Sequence, residues 1–151
     1  MTNPTQPLRH HHKHCDDIFA TAEAQAHAGE WAGCETASAK FIAEMEAHFA
    51  TEEQVLFPAF ETATGMSGGP VAVMRMEHAQ MRDLMAQMVV ALKARDRNAY
   101  GGAADTLLIL MQQHNVKEEN ILYPMCDSSL AATVLDIGGA LGERLEGRCQ
   151  T

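Results

Sequence analysis

The chain has 151 residues, a formal charge of −9 and only 5% aromatic side chains. That length suits one domain with a real core, so a single domain is expected over residues 1–151. The acidic balance argues against nucleic acid and anionic membrane as partners, because both need a basic surface. No run approaches the roughly 18–20 apolar residues of a membrane span. Met1-Thr2-Asn3-Pro4 opens no apolar stretch, so no signal peptide is expected and the location is read as cytoplasmic. Cys15, Cys34, Cys126 and Cys149 are scattered, with no Cys-x-x-Cys pair, and are expected as free thiols.

Breakers and apolar spacing predict four long helices. The first runs from about residue 8 to 28 and stops near Gly29; the second runs from about 34 to 59. Thr64-Gly65-Met66-Ser67-Gly68-Gly69-Pro70 reads as a linker, with Ser67 or Gly69 capping a third helix over about 70–95. The fourth covers about 99–125. The tail, residues 127–151, carries a weak apolar pattern (Leu130, Val134, Leu135, Ile137, Leu141) and predicts a short helix fraying after Gly138-Gly139.

The chain repeats itself at an offset of 66 residues. His48-Phe49-Ala50-Thr51-Glu52-Glu53-Gln54-Val55-Leu56-Phe57-Pro58 returns as His114-Asn115-Val116-Lys117-Glu118-Glu119-Asn120-Ile121-Leu122-Tyr123-Pro124. Upstream, Met45 lies on Met111, Asp17 on Asp83 and His12 on His78. A two-helix unit written twice predicts an all-α, antiparallel up-down-up-down four-helix bundle over about 8–125. The inner stripes step by three and four residues. They are Leu8, His12, Cys15, Phe19, Ala22, Ala26; then Phe41, Met45, His48, Glu52, Val55; then Met74, His78, Met81, Met85, Met88, Leu92; then Leu107, Met111, His114, Glu118, Ile121.

A lone histidine on an apolar face is usually a packed core residue. Here each of four stripes carries one, and the second and fourth add a glutamate one turn later. A buried carboxylate costs several kcal/mol unless it is paired or binds a metal. No lysine or arginine lies on the stripes to neutralise Glu52 and Glu118. Divalent cations between the two carboxylates remove that penalty, with imidazoles completing the shells. The candidate metal ligands are therefore His12, His48, Glu52, His78, His114 and Glu118. Mixed imidazole and carboxylate ligation suits iron, manganese or zinc, and six shared donors exceed a closed tetrahedral zinc site, so two irons lead. The first ligand competes with His10, His11 and His14. The repeat and the stripe select His12, and His14 lies about 200° round the helix from it.

The pattern resembles the hemerythrin family, in particular its histidine–histidine–glutamate (HHE) cation-binding branch. The resemblance rests on His48-x-x-x-Glu52-Glu53-x-x-Leu56-Phe57-Pro58, its Leu122-Tyr123-Pro124 copy and Glu77-His78. It implies terminal iron ligation by His48 and His114, bridging by Glu52 and Glu118, and completion by His12 and His78, with an oxo- or hydroxo-bridged di-iron cofactor. The oxygen carriers of the family have a fifth histidine, and here Arg82 stands at its place. That implies a more symmetric and more open site, suited to sensing or reacting with a small oxidant rather than carrying it. Related iron–sulfur repair proteins share the four-His, two-Glu set but usually add a cysteine-bearing N-terminal domain, for which this chain has no room.

The expected function is a di-iron protein that binds or senses dioxygen or a related diatomic or peroxide ligand. The alternatives are a di-iron enzyme reducing nitric oxide or peroxide, and an iron-binding or iron-handling module without catalysis. Glu53 and Glu119 are expected at the surface or accepting the free ring N–H of a ligand histidine. Arg82 and its repeat mate Asp16 are placed to pair near the pocket or at the surface. Met81, Met85 and Met88 read as core filler or the lining of an apolar path. Cys15 reads as packing near His12, and His27 as exposed.

Overall fold

The structure is a computed structural model describing residues 3–131 and 136–145. Its elements are α1 (Gln6–His27), α2 (Trp31–Thr51), a π-helical turn (Glu52–Leu56), α3 (Phe57–Thr64), α4 (Pro70–Ala94), α5 (Arg97–Lys117), a second π turn (Glu118–Leu122), α6 (Tyr123–Leu130) and α7 (Ile137–Leu145). Each π turn joins its flanking α segments into one rod, so α1, the α2–α3 rod, α4 and the α5–α6 rod form the four-helix bundle. α1 packs on α2 and α5, and α4 packs on α5 and α2, which closes the square. Gly29 and Gly65 end their helices at positive φ, 74° and 71°. Gly69, not Ser67, stands at the start of α4, at φ 69°.

The π turns were not anticipated. Phe57 N–H bonds to the Glu52 carbonyl and Tyr123 N–H to the Glu118 carbonyl, both five residues back. The cause lies next door. Pro58 and Pro124 lack an N–H, and in a regular helix their rings would strike the carbonyl four residues earlier. Widening the preceding turn relieves that clash. The wide turn also moves the inner stripe by one position. Val55 and Ile121 were expected inside, but Val55 is only half-buried and Ile121 is 55% exposed, while Leu56 and Leu122 take the core places. The other stripe residues follow the expectation, with Leu92 half-buried.

The core is divided. One apolar cluster contains Cys15, Phe19, Phe41, Met45, Met81, Met85, Met88, Leu107 and Met111. The other contains Leu8, Leu56, Phe57, Met74, Leu122 and Tyr123, together with the α7 residues Ile137, Leu141 and Leu145. His12, His48, Glu52, His78, His114 and Glu118 fall between the two in every rod, so the polar layer is sealed at both ends.

The tail departs from expectation. α7 runs through Gly138 and Gly139 instead of fraying after them. Asp136 caps it by accepting from Gly139 N–H at 2.8 Å. A Cβ at Gly139 would sit 2.1 Å from that carboxylate, so the glycine permits the cap. α7 packs against α1, α2 and the first π turn. Val134 and Leu135 lie outside the described residues.

The start of α1 has no side-chain cap of its own. Asp127, from the far end of the chain, serves instead. Its carboxylate accepts from the buried Thr5 backbone N–H at 3.0 Å and from the Thr5 hydroxyl at 2.9 and 3.0 Å. This clamp holds the turn that carries His11 and His12. Replacing Asp127 with Ala leaves those donors unpaired and is expected to cost about 1.5–3 kcal/mol. The check is a urea unfolding curve, in which the midpoint falls while the slope stays the same.

Candidate metal centre

The six expected donors converge. Glu52, His78, His114 and Glu118 place one ligand atom each within 4.8 Å of one another, and so do His12, His48 and Glu118. All six residues are buried, none more than 7% exposed. His12 Nε2 lies 3.0 Å from Glu118 Oε1, His114 Nε2 3.2 Å from the same oxygen, and His78 Nε2 3.1 Å from Glu52 Oε1. Glu52 Oε1, Glu118 Oε2, His78 Nε2 and His114 Nε2 are buried without a hydrogen-bond partner among the described residues. Orphaned acceptors and imidazole nitrogens aimed at one another are the donor set a divalent cation satisfies. The residues therefore fit a metal, and two groups that share Glu118 fit two.

The electrostatics agree. Burial and the neighbouring Glu118 charge push the Glu52 carboxyl up to about 7. Burial opposes the charge on His12 and His78, but the carboxylates beside them win. Glu118 and Glu119 raise His12 to about 10, and Glu52 and Glu53 raise His78 to about 9. Without a metal, protons hold the two glutamates together.

Behind the donors stands a second set of residues that orients them. His78 Nδ1 donates to Glu53 Oε2 at 2.7 Å, and His114 Nδ1 donates to Glu77 Oε1 at 2.9 Å. His12 Nδ1 faces Glu119 Oε2 at 3.6 Å, just beyond a hydrogen bond. Glu53 thus takes the role of backing a histidine, whereas Glu119, more than a third exposed, stops short of a hydrogen bond to His12. Cations steady these carboxylates in turn. Arg82 forks onto Glu53 at 2.9 and 3.1 Å, and Lys117 donates to Glu77. Burial opposes the Glu53 charge, but His78 and Arg82 hold its carboxyl at about 2. Arg82 also binds Glu46 on the facing rod at 3.1 Å and Asp16 is exposed, so of the two placements expected for that pair Asp16 takes the surface one.

His48 is backed differently. His11, fully buried, stacks on it with ring centroids 5.2 Å apart and meets its Nδ1 at 3.0 Å. His11 Nε2 in turn faces Glu44 Oε1 at 3.0 Å. Burial lowers the pKa of both imidazoles. A neutral His11 donates from Nε2 to Glu44, so its Nδ1 accepts from His48 Nδ1–H. His48 Nε2 is then left bare toward the site. Among the competing histidines, His12 enters the site, His11 backs it, and His14 lies at the edge, 3.7 Å from Glu44.

His11, Glu44, Glu77 and Tyr123 were not assigned roles by the sequence analysis. The repeat carried part of the signal, since His11 is the mate of Glu77 and Tyr123 the mate of Phe57. A small cavity lined by His12, Cys15, Met45, His48, Phe49, Met111, His114 and Asn115 adjoins the donors. Cys15 therefore does lie near the site. Met81, Met85 and Met88 do not line this cavity but fill the core, and His27 is exposed.

Comparison with known proteins agrees with this geometry. The model of the hemerythrin HHE cation-binding domain matches residues 3–126. The chain is also similar to the iron-sulfur cluster repair protein YtfE of Edwardsiella ictaluri, 30% identical over 135 residues covering 77% of this chain. It spans 60% of that protein's length. No solved structure matches. No described helix is long and apolar enough to cross a membrane. With the match running from the first turn of α1 to the middle of α6, the chain belongs to the hemerythrin HHE cation-binding family.

Proposed function

We propose that the chain holds two non-haem irons and uses them to bind or sense dioxygen or a related small oxidant. The observation that carries this reading is the pair of overlapping donor groups sharing Glu118, set beside a small cavity whose walls include Met45, Phe49 and Met111. His12, His48, Glu52, His78, His114 and Glu118 would hold the metals. Bound iron would supply redox electrons and open coordination positions for the ligand. The chain's part is to exclude water with Met45, Phe49 and Met111, and to keep His78, His114 and His48 each in one tautomer through Glu53, Glu77 and the His11–Glu44 pair. Sequence kinship to an iron-sulfur cluster repair protein favours a second reading, an iron-handling role, although the chain spans only 60% of that relative.

The direct test is anaerobic loading with iron(II), metal analysis, and stopped-flow mixing with dioxygen. Two irons per chain and a stable oxygenated spectrum are expected for a binding protein. Rapid conversion to the diferric state would move the reading toward an enzyme or sensor. Natively isolated protein carrying two zincs and no iron would sink it.

Removing an orienting carboxylate weakens the site without touching a donor. Glu77→Ala is expected to lower metal affinity about 10–100-fold, measured by competition with a coloured chelator. An unchanged affinity would show that Glu77 merely pairs with Lys117.

Proton competition sets the pH dependence. A metal needs neutral imidazoles, whereas His12 and His78 keep their protons to about 10 and about 9 in the metal-free fold. Metal uptake at pH 7 therefore releases protons, and apparent affinity rises with pH. Metal-free stability runs the other way. The protonated imidazoles stabilise the fold fully below their unfolded value of about 6.5, and that contribution is lost as pH climbs through 9 and 10. Glu52, raised to about 7, acts with the same sign between its unfolded value of about 4.3 and neutrality. Chelator-treated protein should show a lower urea midpoint at pH 10 than at pH 6, and metal-loaded protein a smaller drop.

A further inference from the structure

The two donor groups are unequal. Glu52, His78, His114 and Glu118 make four, whereas His12, His48 and Glu118 make three. Glu52 also reaches the second group, with Oε1 3.5 Å from His48 Nε2, and that same half holds a phenol. Tyr123 is fully buried, with its ring stacked on His12 at 5.6 Å between centroids. Its oxygen lies 3.3 Å from His12 Nε2, 3.4 Å from His48 Nε2 and 3.1 Å from Glu118 Oε1. It also donates to Glu52 Oε2 at 2.8 Å. Metal–ligand bonds of about 2.0–2.2 Å place neighbouring donors about 2.8–3.6 Å apart in octahedral or tetrahedral shells. The distances from Tyr123 to three other donors all fall in that interval, as does the 3.0 Å between His12 Nε2 and Glu118 Oε1.

The internal repeat supplies the control. The mate of Tyr123 is Phe57, which stacks on His78 at 5.7 Å but carries no oxygen. It stands beside the half that already has four donors. The hydroxyl is thus present only beside the group formed by His12, His48 and Glu118. A phenol kept simply to fill the core would not need its oxygen aimed at four polar atoms.

We propose that the Tyr123 phenolic oxygen is a protein ligand to the metal held by His12, His48 and Glu118, completing that half of the centre. This inference rests on the di-iron reading above. Coordination as phenolate would release the phenolic proton to solvent on metal uptake, together with the imidazole protons, since Glu52, its hydrogen-bond partner in the metal-free chain, is itself a metal donor. The resulting centre is unsymmetric, with one iron bearing an anionic oxygen donor that the other lacks.

The signature is spectroscopic. Diferric protein should show a visible phenolate-to-iron(III) charge-transfer band with resonance-enhanced tyrosine ring vibrations. The chain has only two tyrosines, and Tyr100 is far from the centre, buried and bonded to Ser38 Oγ at 2.8 Å. Tyr123→Phe should therefore lose the band and the ring vibrations, while Tyr100→Phe keeps both. Two irons bound by wild-type protein with no tyrosine vibrations would overturn the assignment alone, whether or not the Tyr123 variant folds. Vibrations that survive Tyr123→Phe would overturn it too. Failure to bind iron would defeat the di-iron reading first, so the two failures are told apart by metal analysis.

Discussion

The whole structure turns on two glutamates that should not be where they are. Glu52 and Glu118 sit fully buried between two apolar clusters, and among the described residues no lysine or arginine pairs with either. Left ionised and unpaired, each would cost several kcal/mol, and their mutual repulsion would add to it. Positive charge has to come from within the layer. Imidazoles supply it as protons in the metal-free chain, which is why His12 and His78 titrate so far above an ordinary histidine. A pair of cations would supply it better, because each also satisfies the orphaned Glu52 Oε1 and Glu118 Oε2.

That central demand propagates outward in layers of alternating sign. The histidines need their far nitrogens fixed, and Glu53, Glu77 and the His11–Glu44 pair do so. Of those carboxylates, Arg82 offsets Glu53 and Lys117 offsets Glu77. Arg82 occupies the place where an oxygen carrier of this family would present a further histidine. Here the position serves the opposite function. A guanidinium forks onto Glu53 and stacks over Phe49 at 5.1 Å, steadying His78 from outside instead of adding a donor inside.

The internal repeat made much of this readable from sequence. Six donors, four rods and the linker at Gly65–Gly69 followed from a 66-residue offset and a stripe of threes and fours. The residues that escaped did so for identifiable reasons. The π turns need a hydrogen-bond count that side-chain periodicity does not carry, and the sole trace was a proline at both Pro58 and Pro124. Missing them put Val55 and Ile121 inside in place of Leu56 and Leu122. His11 escaped because a helix stripe allows one inward position per turn, whereas the end of α1, drawn in by Thr5 and Asp127, buries two consecutive histidines. Asp127 lies 122 residues from Thr5, beyond any local pattern. Helix α7 was under-read because two glycines count as breakers until one sees that Gly139 makes room for its own cap.

The repeat also shows where the two halves parted. A duplicated hairpin would offer two metals identical surroundings, and each difference between the copies would separate their chemistry. Two of the differences fall at the centre itself. Glu77 backs His114 directly, whereas its mate His11 backs His48 through a neutral ring and passes the charge on to Glu44. A carboxylate on the far nitrogen makes an imidazole a stronger donor than a neutral acceptor does. The His48 half is thus poorer in donor strength as well as in donor number. Tyr123 stands in that same half, and its mate Phe57 stands in the richer one. On a metal held by His12, His48 and Glu118, the phenol and the relayed histidine would act in opposite directions. One would withhold electron density through the imidazole, and the other would return it through oxygen. A symmetric di-metal site has no built-in sense of which metal meets the ligand first. Divergence at these two positions would provide one.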